Sequence, residues 1–196
     1  GGVYRLIPKT YAFMWVGSLA LAGIPYFAGY YSKDSILETA FLSGSTFSYF
    51  AFVIGLFVAF LTAFYSWRLL LLTFHGKPNA NDKVMAHIHE SPWTMLLPLS
   101  VLSLGAIFSG YLTHDLFIGH GAEVFWGNSI AVHTIHHEIP FFIMIAPLIC
   151  AVSGIILAYL IYGGKRGVAD VITSIFRPVY LFFKNKWYFD ELYDYL

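Results

Sequence analysis

Residues 23–38 read GIPYFAGYYSKDSILE, and whether this run is one helix or two decides the fold. It lies inside an apolar region from Tyr11 to Leu42. A single helix over that region would be about 48 Å long at about 1.5 Å per residue, against a hydrocarbon core of about 30 Å. Gly23, Pro25 and Gly29 stand in its middle. Proline removes a backbone donor and clashes with the preceding turn. Ser32 then offers an N-cap, with Asp34 in the first turn of a new helix. The economical reading is one crossing by two half-helices around an unwound Pro25–Tyr31 segment. A proline kink followed by an interfacial turn is the alternative. Irregular backbone at membrane depth is tolerated only inside protein or beside a water-filled cavity.

The rest of the chain supports a membrane setting. Of its 196 residues 58% are hydrophobic and only 11% charged, where a soluble domain averages about 25% charged. The net charge is zero, which leaves no basic surface for nucleic acid. The single cysteine, Cys150, lies in an apolar run and reads as a small packing residue. The chain opens on GGVYRL, without methionine or a signal-peptide pattern, and closes on FDELYDYL. It reads as an internal piece of a longer polypeptide.

Three further apolar regions follow the broken one: 47–74, 93–112 and 141–162. The expected fold is therefore an all-α membrane protein of four transmembrane helices, the first discontinuous, over residues 1–162. Arg5 and Lys9 precede the first region, and Lys77 and Lys83 follow the second, just after Arg68. Lys165 and Arg166 follow the fourth. The link SGSTFS and the Thr113–Pro140 loop carry neither Lys nor Arg. By the positive-inside rule the N-terminal end, the 75–92 loop and everything after 163 are cytoplasmic, or face the matrix in a mitochondrion. In 163–196, Val168, Val171, Ile172, Ile175 and Phe176 recur at helical spacing, opposite Asp170, Thr173, Ser174 and Arg177. This predicts a short amphipathic interfacial helix, stopped near Pro178. Lys184, Lys186, Trp187 and Tyr188 suit an anchor at the same interface.

Lys33 falls about 15 Å before Ser43 if the intervening piece is helical, near the bilayer midplane. A charge there costs at least about 2.5–3.5 kcal/mol and marks an ion or proton path by default. Burial and the positive end of a helix dipole oppose its ammonium; the carbonyls ending the first half-helix and the Asp34 carboxylate support it. Such opposed effects suit a lysine that gains and loses a proton, although a fixed ion pair pinning the break would use the same residues. Adjacent residues point apart on a helix, so Asp34 need not touch Lys33. Glu38, one turn on, reads as an exit-side relay or as an interfacial acid. Snorkelling explains Arg68; an interhelical ion pair is the sharper reading.

The densest histidine groups, His87-x-His89-Glu90 and His133-x-x-His136-His137, match no zinc spacing and fall in loops. No phosphate loop, nucleotide fingerprint, CxxC or nucleophile motif occurs. The chain itself is thus expected to hold no cofactor, no metal and no redox site.

The runs SLALAGIPYFAGYYSKDSILE, AFYSWRLLLLTFHGKP, HESPWTMLLPL and WYFDELYD, in this order, resemble the largest antiporter-like membrane subunits of respiratory complex I, the proton-translocating NADH:quinone oxidoreductase. The resemblance covers nearly the whole chain. It implies that the first region is the family's twelfth, discontinuous helix, with the next three spans as helices thirteen to fifteen. It implies that Lys33 is the buried lysine that loads a proton and passes it outward; Ser32, Pro25, Asp34, Glu38 and Arg68 are supporting residues by their own positions and not by the resemblance. It places NADH, FMN, iron–sulfur clusters and quinone in other subunits. The neighbouring antiporter-like subunit and membrane lipids become partners, and a bacterial inner membrane becomes the location, or alternatively the mitochondrial one. The family's earlier buried glutamate and lysines lie upstream of this piece, and its long lateral helix downstream. Two rival readings are a subunit of a multisubunit Na⁺/H⁺ antiporter without redox coupling, and a non-transporting scaffold with Lys33 as a structural charge.

Overall fold

The computed structural model describes residues 1–119, 121–129, 139–164 and 167–195. It is helical throughout, with no strand among the described residues. Helix α1 spans Pro8–Ala22 and starts on a proline, whose fixed φ suits the first turn. Gly23 ends it in the left-handed region, at φ 77°. The Gly23 and Ile24 N–H groups close the end by donating to the carbonyls of Ala20 and Leu19. After the break, Phe27 is extended and α2 runs Ala28–Leu42.

The two-helix reading of this region holds, but its restart is corrected. The chain resumes helix at Ala28, not at Ser32, so the unwound segment ends before Tyr31. Ser32 is not the N-cap: it sits within the helix and its hydroxyl donates to the Gly29 carbonyl, 3.4 Å away. Asp34 is not in the first turn either. The physical reason is Gly29. A Cβ there would overlap the Ala20 carbonyl oxygen. Its absence lets the first turn of α2 press beside the last turn of α1, and 28–31 contain no proline to stop helix.

Helix α3 spans Thr46–Phe74 and opens with a capping box between Ser45 and Ser48. A short α4, Asp82–Met85, lies in the following link. Helix α5 spans Trp93–Phe117, five residues beyond the predicted end at 112. Thr113, His114 and Asp115 are polar but do not break helix, and His114 packs on Tyr31, so hydropathy alone placed the end too early. Next come α6 (Ala122–Trp126) and α7 (Phe141–Tyr162), the latter as predicted. Beyond Gly163 lie α8 (Gly167–Ile175), α9 (Arg177–Lys184), a 3₁₀ turn over Lys186–Tyr188, and α10 (Phe189–Tyr195). Pro178 falls in the first turn of α9, so it opens a helix after α8 has ended.

Aromatic contacts set the directions. Tyr11 meets Phe74 at 5.0 Å and Trp15 meets Trp67 at 5.3 Å, while Phe41 meets Phe52 at 5.4 Å. Thus α1 and then α2 run antiparallel to α3, one half beside each of its ends. The seam between α3 and α7 is built from small residues. Ala63, Ala151 and Ala158 are buried, and a Cβ on Gly154 would overlap the Phe60 carbonyl. Lipid tails are as apolar as leucine, so helices in a membrane gain most where small residues let backbones approach. Helix α5 lies along the other side of α1 and α2, with Lys9 over the Trp93 ring at 4.3 Å and Gly110 pressed on Ala28 and Tyr31.

Among the described residues three helices are long and apolar enough to cross a membrane: α3, α5 and α7. Helices α1 and α2 have 15 residues each, about 22 Å, and neither alone is long enough.

Candidate functional site

The last carbonyls of any helix lack intrahelical donors. At the end of α1 one of them, Leu21, accepts a hydrogen bond from Lys33 Nζ at 2.9 Å. The donor is borne by α2, so a charge-assisted bond ties α2 to the end of α1. The lysine stem passes over Gly23, where a Cβ would stand 3.5 Å from Lys33 Cδ. Lys33 is half-buried and sits in the second turn of α2. That lies beyond the turn where the dipole of a helix N-terminus acts most strongly.

Asp34 takes another direction. It is only 7% exposed and its Oδ2 has no hydrogen-bond partner. It forms no contact-distance ion pair with Lys33, whose ammonium is turned to α1. The two adjacent side chains therefore point apart, as helix geometry leads one to expect. Along the same face of α2 lie Tyr31, one turn before Asp34, and Glu38, one turn after. Glu38 is half-buried and within electrostatic reach of His114 on α5.

The other predicted residues are dispersed. Pro25 lies in the break between Gly23 and Phe27, with no cis peptide bond. Arg68 is exposed near the end of α3 and makes no ion pair with any of the described residues; its guanidinium lies 5.4 Å from the Tyr162 ring centroid on α7. The interhelical contact is thus a cation–π one. An ion pair does not form because α7 presents an aromatic ring there and not a carboxylate. Cys150 is a free, half-buried thiol in α7. His87 Nδ1 bonds the Lys83 carbonyl at 2.6 Å and His89 Nδ1 the Glu90 carbonyl at 3.1 Å. No cluster of three metal-ligating side chains occurs among the described residues. His133, His136, His137, Lys165 and Arg166 lie outside the described residues.

Sequence reasoning missed three features. The N-terminus of α1 has no local side-chain cap. Instead the Glu90 carboxylate accepts from the Lys9 N–H at 2.7 Å, the Thr10 N–H at 3.3 Å and the Thr10 hydroxyl at 2.6 Å. Desolvation pushes the Glu90 carboxyl up. The Thr10 hydroxyl and the N–H groups of Lys9, Thr10 and Ser91 outweigh it and hold the group below the usual carboxylate range. The second feature is a hydrogen bond of 2.8 Å between the Tyr11 hydroxyl and His75 Nε2, which closes the α1–α3 seam at the same end. The third is His114, whose ring centroid lies 5.3 Å from that of Tyr31. Only His114 left a trace in the sequence: the run Thr113–Phe117 has no helix breaker.

Residues 1–62 match the family described as NADH:quinone oxidoreductase/Mrp antiporter, TM, and residues 65–196 match NADH dehydrogenase subunit 5 C-terminus. Among curated relatives, NADH-ubiquinone oxidoreductase chain 5 of Phytophthora infestans is 38% identical over 98% of this chain, and that of Dictyostelium citrinum 40% identical over 98%. The chain 5 of Marchantia polymorpha is 36% identical over 99% of the chain. In each case the match spans 30% of the relative's length.

Proposed function

The chain belongs to the NADH dehydrogenase subunit 5 family, and from that membership we propose that it carries the outward end of a proton path in the membrane arm of an NADH:quinone oxidoreductase, with Lys33 as the proton carrier. The observation behind this reading is the Lys33–Leu21 hydrogen bond across the broken helix. An ammonium has three donors, and one is held by α1. The others remain for water or an approaching acceptor. When the proton leaves, the bond to Leu21 weakens, and charge state becomes coupled to the fit of the two half-helices.

On this reading α1 and α2 together form one discontinuous crossing, which makes four with α3, α5 and α7. Their antiparallel course along α3 supports it. Residues 1–162 are then the proton-translocating membrane part and 163–196 a cytoplasmic or matrix-side segment. Val168, Val171, Ile172 and Ile175 are exposed on α8, which supports an interfacial position for that helix. NADH, FMN, iron–sulfur clusters and quinone belong to other subunits, and the membrane subunits of the complex, above all the neighbouring antiporter-like one, are the partners. The relatives named above are all eukaryotic. That favours the mitochondrial inner membrane over the bacterial location expected from sequence.

The Na⁺/H⁺ antiporter reading has one observation in its favour. The family matched by residues 1–62 is described as shared with Mrp antiporters. Residues 65–196 and the named relatives favour the oxidoreductase. The test is to replace Lys33 with methionine in the intact subunit of the assembled complex and to measure protons translocated per electron. A lower ratio with normal assembly is expected; an unchanged ratio overturns the assignment.

A further inference from the structure

The ends of α3 and α7 and the first turn of α8 border a cavity of about 260 Å³, lined by Leu72, His75, Tyr159, Tyr162 and Asp170 among others. Helices α3 and α7 run parallel, since Gly154 lies against Phe60 and Tyr162 meets Phe64 at 6.1 Å. Both are long and apolar enough to cross a membrane. The cavity therefore lies at the level where the two helices leave the apolar layer together, beside α8, whose apolar residues are exposed. Tyrosines are ordinary at such a level.

The charges single this cavity out. Asp170 borders it from α8 and forms no ion pair among the described residues. Arg68 stands on the face of α3 that carries Leu72 and His75, at helical spacing. It does not line the cavity itself, but its guanidinium lies over the ring of Tyr162, which does. It too has no carboxylate partner among the described residues. One cation and one anion thus flank a single cavity without pairing with each other. Away from α8, Tyr65 and Leu61 continue the row of Leu72 on α3, and Val152 that of Tyr159 on α7. All five are exposed. The seven-residue steps keep each row on one face, so two apolar rows lead from the cavity along the membrane-spanning helices.

We propose that the cavity holds the headgroup of a zwitterionic phospholipid with a primary ammonium, a phosphatidylethanolamine, whose tails follow those two rows. Arg68 takes the phosphate, because a guanidinium offers phosphate oxygens two parallel N–H bonds. Asp170 takes the ammonium, which has three donors to give. A choline headgroup has no such donor, and a purely anionic headgroup meets Asp170 with like charge. The lipid then ties α8 to the α3–α7 pair. None of this rests on Lys33, and its failure leaves the proton-carrier reading untouched.

The test reconstitutes the intact complex in phosphatidylcholine vesicles doped with phospholipid probes that carry a photoactivatable diazirine in one acyl chain. The probes share that chain and differ in the headgroup: ethanolamine, choline or glycerol. After illumination the labelled peptides are mapped by mass spectrometry, and labelling is normalised to the exposed Val101 and Leu104 of α5. The ethanolamine probe should label 61–72 and 152–159 about tenfold more than the choline probe, the worth of one hydrogen bond to a charged group. Asp170→Asn should bring it down to the choline level, and Asp170→Glu should retain the preference. Equal labelling by the ethanolamine and choline probes overturns the proposal, as does a preference that survives in Asp170→Asn. Stronger labelling by the anionic glycerol probe than by the ethanolamine probe points to attraction by basic residues alone and overturns it too. Should Asp170→Asn assemble poorly, the comparison of the three probes on the unmodified complex decides.

Discussion

Lys33 Nζ donates to the Leu21 carbonyl at 2.9 Å, so a side chain of α2 satisfies a backbone carbonyl at the end of α1. Its neighbour Asp34 is buried with an oxygen unpartnered. This pairs a charge with a helix end and leaves the adjacent acid free of the capping role that sequence suggested for it.

The close approach that makes this possible depends on Gly29. Gly29→Ala puts a Cβ into the Ala20 carbonyl, a rigid backbone atom. Forcing the half-helices apart should cost about 1–3 kcal/mol and lengthen the Lys33–Leu21 bond. The expected result is less assembled complex and a lower proton-to-electron ratio in what assembles. Gly17→Ala is the control. Nothing lies within 4 Å of its Cβ, and alanine is the better helix former by about 1 kcal/mol. Equal behaviour of the two variants would contradict the packing argument.

The Glu90 carboxylate caps α1 from outside its own helix, and its carboxyl is held below the usual range. A depressed value in the folded state means that the stabilisation is present above the unfolded value and fades as pH falls through the folded one. Amide exchange should therefore show Lys9 and Thr10 protected at neutral pH, with protection falling in acid. In Glu90→Gln their protection should be low at neutral pH and lack the acid transition. Protection equal to that of the unmodified chain in that variant would show that the cap is not what orders the start of α1.

Arg68 stands over the Tyr162 ring. An exposed cation–π contact is worth about 0.5–1 kcal/mol, so Arg68→Met should alter assembly slightly and leave pumping per electron unchanged. Tyr162→Phe keeps the ring and should be milder still. Normal assembly with lost pumping in Arg68→Met would place the arginine in the proton path instead.

The break itself was legible because Gly23 and Pro25 are local signals that act on their own backbone. Its length was not, because Gly29 matters through Ala20, a contact across the break that no local propensity encodes. The end of α5 was misread for a related reason. His114 continues a helix because Tyr31 lies beside it, whereas hydropathy counts it as loop. The cap by Glu90 joins positions far apart in sequence, and the signal at Thr10 or Glu90 alone is that of ordinary polar residues. The apolar face of α8 was read from its spacing, since an amphipathic period is local. Lys33 was singled out by the cost of its charge at depth, while its carbonyl partner could only be named as one of several at the end of α1.

The central claim, that Lys33 gains and loses a proton as the path operates, is tested most directly by infrared difference spectroscopy on the assembled complex during turnover. Isotope-labelled lysine, with Lys33→Met as the reference, isolates its signal. The account predicts a band that reports deprotonation and reprotonation of Lys33 in step with proton release. A Lys33 charge that stays constant through turnover, and across pH, would contradict it and leave the lysine as a structural tie between two half-helices.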